Sequence, residues 1–303
     1  MNRRDFFALS TASALASSRL PAQAQPTAEA PLLTFGLLTD VQFADVEPKG
    51  ERHYRASIPK LKAAVATLAK LNLPFTLHLG DFVDRDFKSF GSVLPLLDRL
   101  GHPVHHLLGN HDYDLADAEK ACVVSTLGMP HDYYMVRHSG VRLLMLDTTD
   151  LAAYKHPAAS PQAKAAADRL SQLAATKAAN AQPWNGGLGT HQLAWLVREL
   201  AAADAAGEKV ILCGHHPLLP ADAHQIWNAA AVLELIDQHP CVIAYLNGHN
   251  HAGAETVRNG IPYITFKSVL HHPDTTAFSV IQLFSDRIAI IGHGREASRS
   301  FAL

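Results

Sequence analysis

The chain has 303 residues, 48% of them hydrophobic, which suits one large domain or two small ones with a packed core. With 26 basic and 28 acidic side chains, the formal net charge of −2 argues against nucleic-acid binding, which depends on dense positive charge. The unusual count is 19 His, a common metal ligand and the usual acid–base group near neutral pH. Their positions decide whether they bind metal or lie on the surface.

The first 24 residues have the features of a signal peptide. Arg3-Arg4 precedes an apolar run from Ala8 to Leu20, and Ala22-Gln23-Ala24 offers a small-residue cleavage site. We therefore expect a twin-arginine-type signal peptide (residues 1–24), followed by a mature domain over residues 25–303. This interpretation implies the twin-arginine export machinery as a partner, a periplasmic or secreted location, and no stable membrane association after processing. An ordinary N-terminal tail is the alternative.

Strand-like and helix-like segments alternate in the first half of the mature chain. Short apolar runs predict strands, and longer segments rich in Ala and Leu predict helices. Their β-α-β-α-β order favours a sheet with helices packed on it. The predicted elements are the strands Leu32–Thr39, Pro74–Leu79 and Val104–Leu108 and the helices Ser57–Leu71 and Ser89–Leu100.

The second half begins with a hairpin and ends in strands. Ser139-Gly140 forms a turn signature between two strand-like runs. Residues 152–182 are rich in Ala and predict a surface helix with a loop. In the absence of a linker or repeat, one α/β domain with two packed sheets is predicted. Its further elements are the strands Tyr133–Arg137, Val141–Asp147, Lys209–Cys213, Val242–Leu246, Ile261–Phe266, Phe278–Leu283 and Ile288–Ile291 and the helices Gln192–Ala205 and Ala223–Gln238.

Polar side chains follow five of the predicted strands at the point where each strand ends. Gly comes directly before the polar group in four of the five, which permits a sharp turn and close backbone approach. The carboxyl ends of strands form the edge of an α/β sheet where ligands bind. The segments are Asp40-Val41-Gln42, Gly80-Asp81-Phe82-Val83-Asp84, Gly109-Asn110-His111-Asp112, Gly214-His215-His216-Pro217 and Gly248-His249-Asn250-His251.

The residue types in these segments suit a metal centre. Two carboxylates, two amides and three imidazoles form a mixed oxygen and nitrogen ligand set, which fits Mn, Fe, Zn or Mg rather than soft metals. Asp81 can bridge two ions with its two oxygens. His216 either contacts phosphate or supports its loop, and Asp112 is expected to be a structural hydrogen-bond acceptor. The predicted ligands are Asp40, Gln42, Asp81, Asn110, His215, His249 and His251.

Taken in order, the five segments resemble the motifs of the calcineurin-like metallophosphoesterases over residues 34–292. The resemblance implies a four-layer sandwich, in which two facing mixed β-sheets are flanked by helices. It also implies two divalent ions. One ion would be held by Asp40, Gln42, Asp81 and His251, and the other by Asp81, Asn110, His215 and His249.

The same resemblance assigns roles to two more residues and narrows the choice of metal. His111 would protonate the leaving group or stabilise the transition state, and Asp84 would orient its imidazole. The family usually has His where Gln42 stands. An amide oxygen is a weaker and harder ligand than imidazole, so this departure favours Mn or Mg.

Further segments resemble the Mn-dependent ADP-ribose/CDP-alcohol diphosphatases, which implies hydrolysis of the pyrophosphate of ADP-ribose, CDP-choline or CDP-glycerol. The chain between Asp45 and Tyr54 is shorter than in that group, which leaves the base preference open. The segments are Leu37 to Asp45 with Tyr54-Arg55, Pro103 to His106, Asn185 to Leu188 with Gln192 to Leu196, and Ala223 to Ala230. The implied substrate-binding residues are Tyr54, Arg55, Asn185, Gly186 and Trp227, with Arg85 either binding phosphate or solvated.

Two other functions remain open from the sequence. A cyclic-nucleotide phosphodiesterase or phosphomonoesterase of the same superfamily would use similar ligands, although Asp-x-Gln and Asn185-Gly186-Gly187 do not suggest it. A non-catalytic exported protein that binds metal or nucleotide would be expected to lack a ligand or His111, and neither is missing. The predicted function is therefore hydrolysis of a small nucleotide-type substrate, with no role for DNA or RNA.

Overall fold

The computed structural model, which describes residues 29–303, contains two six-stranded sheets. The predicted signal peptide, residues 1–24, lies outside the described residues. Within residues 29–303, none of the helices has the length and apolar character needed to span a membrane.

Both sheets are mixed. Their strands are β1 (Leu33–Leu38), β2 (Thr76–His78), β3 (Val104–His106), β4 (Tyr134–His138), β5 (Val141–Met145), β6 (Lys209–Cys213), β7 (Val242–Asn247), β8 (Ala254–Arg258), β9 (Ile261–Thr265), β10 (Ala277–Leu283), β11 (Arg287–Gly294) and β12 (Arg299–Ala302). One sheet has the strand order β12-β11-β10-β1-β2-β3, and the other has the order β4-β5-β6-β7-β9-β8. Neighbours β1 to β3 are parallel, as are β5, β6, β7 and β9. The remaining neighbours are antiparallel.

The α-helices of the described residues are α1 (Ser57–Leu68), α2 (Ser89–Leu97), α3 (Val123–Thr126), α4 (Pro161–Ala175), α5 (Thr190–Ala206) and α6 (Ala229–Asp237). Two of them pack on the outer face of one sheet and two on the outer face of the other. Buried residues of α1 and α2 share one apolar cluster with Leu38 of β1. Buried residues of α5 and α6 share another with Val210 and Leu212 of β6.

A third apolar cluster fills the space between the sheets. Phe35 and Leu37 of β1 meet Ile211 and Cys213 of β6 in this layer. Alternate residues of a strand face opposite sides, so one apolar strand serves both the inner and the outer core. Each fully buried large side chain contributes roughly 1.5–3 kcal/mol. The four-layer α/β sandwich predicted from the sequence is confirmed.

Two kinds of element differ from the prediction. The last helix begins at Ala229 rather than Ala223, because residues 223–228 form turns that pack beside the site. The strands β8 and β12 were not predicted. Both are edge strands with alternating exposed and half-buried residues, so their sequences lack the apolar runs that mark the central strands.

Candidate metal centre

Four of the seven predicted ligands lie in unusual backbone conformations just after strands. The φ angle is 52° at Asp40, 43° at Gln42, 58° at Asp81 and 67° at His249. Residues other than Gly seldom adopt this left-handed region. Such conformations persist where the surrounding structure enforces them, and they cluster at functional sites. The strand ends are therefore shaped to place side chains rather than to continue the sheet.

Two glycines allow the strand ends to approach one another closely. A Cβ atom on Gly109 would lie 2.1 Å from Asp81 Oδ1. A Cβ atom on Gly248 would lie 2.1 Å from Thr39 Oγ1 and 2.5 Å from Asp40 Oδ2. Any larger residue would displace the two carboxylates, so the glycines that the sequence places before the ligands are required by close approach.

A first cluster contains Asp40, Asp81 and His251, whose potential ligand atoms lie within 4.8 Å of one another. Asp40 Oδ1 is 3.3 Å from His251 Nε2. Gln42 Nε2 donates to Asp81 Oδ2 at 2.8 Å and to His251 Nε2 at 3.0 Å. Because the amide nitrogen faces these acceptors, ligation of an ion through Gln42 Oε1 requires a flip of the side-chain amide that exchanges its nitrogen and oxygen.

A second cluster joins His215 and His249 to Asp81. His215 Nδ1 donates to the Leu79 carbonyl at 2.8 Å, so Nε2, 3.2 Å from Asp81 Oδ2, is the nitrogen available to an ion. His249 Nε2 lies 3.1 Å from Asn185 Oδ1, an acceptor, so the lone pair of His249 is on Nδ1. Asn110 lines the same cavity as Asp81 and His249. Asp81 is therefore the residue that both clusters share.

Four buried atoms of the predicted ligands have no hydrogen-bond partner among the described residues. They are Asp40 Oδ1, Gln42 Oε1, Asn110 Oδ1 and His215 Nε2. Native proteins seldom leave such atoms unpaired, because an unsatisfied buried polar group costs free energy. His215 Nε2 faces the Asp81 carboxylate, and a cation between the two groups, whether a proton or a metal ion, stabilises this arrangement. The donor set fits divalent ions with oxygen and nitrogen ligands.

The electrostatics of the site also favour positive charge. Burial alone would raise the pKa of Asp81, but the imidazoles of His215 and His111 lower it. Burial alone would lower the pKa of His215, but the Asp81 carboxylate raises it to about 9. Burial and the neighbouring imidazoles hold the pKa of His249 well below its usual range, so His249 is neutral, as a ligand must be.

His216 supports its loop and has no free nitrogen for a metal or phosphate. Its Nδ1 lies 2.7 Å from Thr148 Oγ1 and its Nε2 lies 3.1 Å from the Trp184 carbonyl. The carbonyl can only accept, so Nε2 carries the proton and Nδ1 accepts from the hydroxyl. Burial lowers the pKa of His216 to about 3, which keeps this neutral tautomer.

His111 lies at the edge of the centre with its ring held on one side. Its Nδ1 is 3.0 Å from Oδ1 of the buried Asp84, and its Nε2 is 3.4 Å from Arg52 Nη1. Burial alone would lower the pKa of His111, but the carboxylates of Asp81 and Asp84 raise it. This geometry would allow the acid and orienting roles that the resemblance implies for the two residues, and those roles stay a prediction.

A cavity of about 700 Å³ opens over the two clusters. Several of its residues were missed in the sequence, because they come from loops that carry no metal-binding motif. The one indication in the sequence concerned Trp184, which directly precedes the segment Asn185-Gly186-Gly187 that resembles the diphosphatases. The missed residues are Lys49, Glu51, Arg52, Trp184, His224 and His271.

Three predicted substrate-binding residues lie away from this cavity. Tyr54 is buried, and its hydroxyl accepts from Arg85 at 3.2 Å. Arg55 is paired with the carboxylates of Asp45 and Glu47. The structure therefore does not support Tyr54, Arg55 or Arg85 as cavity-lining residues.

The other three predicted substrate-binding residues lie behind the metal ligands. Asn185 is buried, and its Nδ2 donates to the carbonyls of Asn180 and Ala223 while its Oδ1 accepts from His249. A Cβ atom on Gly186 would lie 2.4 Å from a backbone oxygen. Trp227 is 6% exposed, and its Nε1 donates to the Gln182 carbonyl. They shape and support the site, and Asn185 orients His249, a predicted ligand.

Comparison with known proteins identifies the family. A model of the calcineurin-like phosphoesterases matches residues 33–253. The chain belongs to the calcineurin-like phosphoesterase family. This phosphoesterase is 32% identical to a manganese-dependent ADP-ribose/CDP-alcohol diphosphatase from Oryza sativa subsp. japonica, over 88% of this chain and 93% of the relative.

Two more similar proteins support the assignment. A manganese-dependent ADP-ribose/CDP-alcohol diphosphatase from Xenopus tropicalis is 28% identical over 90% of this chain and 94% of the relative. The crystal structure of a dimetal phosphatase from Danio rerio superposes with a TM-score of 0.80 at 26% identity, covering 90% of this chain and 99% of that chain. The predicted family, fold and enzyme class, a metal-dependent hydrolase of phosphoric esters or anhydrides, are confirmed.

Proposed function

We propose that this phosphoesterase hydrolyses the pyrophosphate bond of ADP-ribose and CDP-alcohols with two divalent ions, most favourably Mn²⁺, with Mg²⁺, Fe or Zn²⁺ as substitutes. The relatives named above support both the substrate class and the metal. The observation that carries the proposal is the convergence of the ligand atoms of Asp40, His215 and His251 on Asp81, which lines a cavity of about 700 Å³, a volume typical of small-molecule sites.

The residues of the site divide the work between metal binding and proton transfer. Bound divalent ions supply charge that polarises a phosphoryl group and lowers the pKa of water. Asp81 would hold both ions, and the other residues of the two clusters would complete each ligand set. In its protonated form His111 presents an N–H on Nε2 to the cavity, where a departing phosphate can take the proton, and Asp84 faces the opposite nitrogen.

Three cavity residues fit a nucleotide diphosphate. Lys49 and Arg52 bring positive charge opposite the metal ligands, and a guanidinium suits the paired oxygens of phosphate. Trp184 is 42% exposed and lines the same cavity, and an indole is suited to stacking on a base. A simple phosphomonoester would use neither the indole nor the full length of the cavity.

A panel of substrates tests this function. The purified Mn²⁺-loaded protein is assayed on ADP-ribose, CDP-choline, CDP-glycerol, cyclic nucleotides and p-nitrophenyl phosphate. We expect the highest kcat/KM on ADP-ribose or a CDP-alcohol, with AMP or CMP as a product. Preferential release of p-nitrophenol, or preferential opening of a cyclic nucleotide, would reject the substrate assignment and keep the family. Tight Mn²⁺ binding without hydrolysis of any of these compounds would reject catalysis.

We also propose that residues 1–24 direct export through the twin-arginine machinery and that the enzyme acts in the periplasm or outside the cell. The Arg3-Arg4 pair, the apolar run and the small-residue cleavage site support this proposal. Replacing both Arg3 and Arg4 by Lys should leave the protein unprocessed in the cytoplasmic fraction. Unchanged processing and export of the double variant would reject the twin-arginine route.

A further inference from the structure

His251, a predicted metal ligand, contacts a second imidazole on the side away from Asp40. His251 Nδ1 lies 2.9 Å from His271 Nε2, and the two rings meet edge to face at 76°. The other nitrogen of His271, Nδ1, lies 3.5 Å from Glu51 Oε2. Glu51, His271 and His251 thus form one row of side chains that ends at the first cluster, to which His251 belongs. His271 belongs to none of the five sequence motifs.

The hydrogen-bond partners determine where the protons of this row lie. A His251 that binds an ion through Nε2 carries its lone pair on that nitrogen, the same nitrogen that lies 3.0 Å from the Gln42 amide. The proton of His251 is therefore on Nδ1 and is donated to His271 Nε2. His271 can accept there only when its own proton is on Nδ1, the nitrogen that faces Glu51. One consistent set of tautomers follows for both rings.

A buried lysine holds the backbone that carries His271. Lys60 of α1 is 2% exposed, and its Nζ donates to the carbonyls of Leu270 at 2.7 Å, His271 at 3.2 Å and His272 at 2.8 Å. These three bonds use all three N–H groups of an ammonium. The segment that presents His271 is therefore fixed from the helix layer below it.

The same segment is tied to the loop that lines the cavity. Arg52 and His271 form an antiparallel bridge, and the His272 amide donates to the Glu51 carbonyl at 3.1 Å. The His53 amide donates to the Leu270 carbonyl at 3.3 Å. Backbone bonds thus connect residues 51–53 to residues 270–272. Glu51 is consequently held within reach of the His271 ring despite its own exposure.

We propose that His271 is a positioning residue for the metal centre. It accepts the Nδ1 proton of His251, which keeps the His251 Nε2 lone pair directed toward the ion, and Glu51 and Lys60 hold His271 in place. Partners of this kind fix the tautomer and orientation of a ligand imidazole and raise its basicity. The inference rests on the proposed function, since it requires the two ions, but its test reads metal affinity rather than turnover.

Four variants of the purified protein separate this role from a general effect on folding. His271→Leu removes the acceptor, and His271→Gln places an amide oxygen near the position of Nε2. His271→Asn is polar but carries its oxygen nearer the position of Nδ1. His293→Leu is the matched control, because His293 lies on β11, which supplies no predicted ligand, and stacks on Phe278. Each protein is stripped with a chelator and titrated with Mn²⁺ by calorimetry.

We expect one of the two Mn²⁺ sites to weaken on the order of ten- to a hundredfold in His271→Leu and His271→Asn, the usual effect of losing such a partner. His271→Gln should bind within a few-fold of the unsubstituted protein, and His293→Leu should not change. The proposal would be overturned if the His271→Asn and His271→Gln variants had equal Mn²⁺ affinities. It would also be overturned if either His271→Leu or His271→Asn kept the Mn²⁺ affinity of the unsubstituted protein. Should His271→Leu fail to fold, the comparison of Gln with Asn decides alone.

The outcomes also distinguish this inference from the proposed function. If the unsubstituted protein binds two Mn²⁺ ions but hydrolyses no nucleotide pyrophosphate, the substrate assignment fails while the affinity series still tests His271. If it hydrolyses ADP-ribose and the series shows no difference between variants, the role of His271 fails while the function stands.

Discussion

His111 Nδ1 lies 3.0 Å from Asp84 Oδ1, and the opposite ring nitrogen of His111 faces the cavity beside Arg52. One side of the ring is thus committed to a buried carboxylate, which leaves Nε2 as the nitrogen that meets substrate. His111, the proposed proton donor, thus lies between the buried Asp84 and the loop that carries Arg52, and the following measurements test its role.

Removal of the His111 ring should slow the chemical step without removing the ions. We expect His111→Ala to lower kcat on ADP-ribose on the order of 10²–10⁴-fold, the usual contribution of an acid–base group. Mn²⁺ affinity should be retained, because it is the His111 backbone amide, kept in the variant, that donates to Asp81 Oδ1 at 2.8 Å. Steady-state kinetics and calorimetry check both parts. An unchanged kcat would remove His111 from the mechanism.

Removal of the Asp84 charge should move the pH profile toward acid. The carboxylates of Asp81 and Asp84 raise the pKa of His111 against the effect of burial, so the protonated acid persists to higher pH. Asp84→Asn takes away part of that support and lowers the pKa of His111. The alkaline limb of the kcat profile should therefore shift to lower pH. A limb that stays in place or moves to higher pH would contradict the assignment of His111 as the acid.

Arg52 is expected to contribute to substrate binding, whereas Arg55 is not. Loss of a charge-assisted hydrogen bond to phosphate costs about 1.5–3 kcal/mol, so Arg52→Met should lower kcat/KM by on the order of tenfold or more. Arg55 is half-exposed and paired with Asp45 and Glu47, so Arg55→Met should change kcat/KM by about twofold or less. Equal losses in the two variants would return Arg55 to the substrate site.

Asp112 supports the strand ends rather than the chemistry. Its Oδ2 accepts from the amides of Asp81 and Gly109, both at 2.9 Å, and its Oδ1 accepts from the amide of Phe82 at 2.7 Å. Asp112→Asn turns an NH₂ group toward backbone donors and should lower the free energy of unfolding by about 2–3 kcal/mol. Urea unfolding of the chelator-treated protein measures this cost apart from metal binding. Unchanged stability would show that the Asp112 carboxylate is not needed.

The sequence was sufficient to predict the fold and to find the residues that converge in the candidate metal centre, for a physical reason. Central strands are buried on both faces, so they read as apolar runs, and their ends are marked by Gly and a polar residue. Asp40 and Asp81 follow neighbouring strands of one sheet and His215 follows a strand of the other, so the site forms where the carboxyl ends of the two sheets meet. The edge strands β8 and β12 were missed because half of their residues face solvent.

The cavity wall could not be predicted in the same way. Arg52 and His271 lie in loops whose paths depend on contacts between residues far apart in sequence, such as the bond from Lys60 to the Leu270 carbonyl across 210 positions. Resemblance to a family indicated that Asn185 belongs near the site. It did not reveal that its amide is used by His249 and two backbone carbonyls, which places it behind a ligand.

The most direct test of the account is the number and coupling of Mn²⁺ ions bound per chain, measured by metal analysis together with low-temperature electron paramagnetic resonance. Asp81 belongs to both ligand clusters, so we expect two ions per chain with an exchange-coupled signal. In Asp81→Asn the coupling and the hydrolysis of ADP-ribose should both be lost. A single ion per chain, or two ions with independent signals in the unsubstituted protein, would contradict a shared centre built on Asp81.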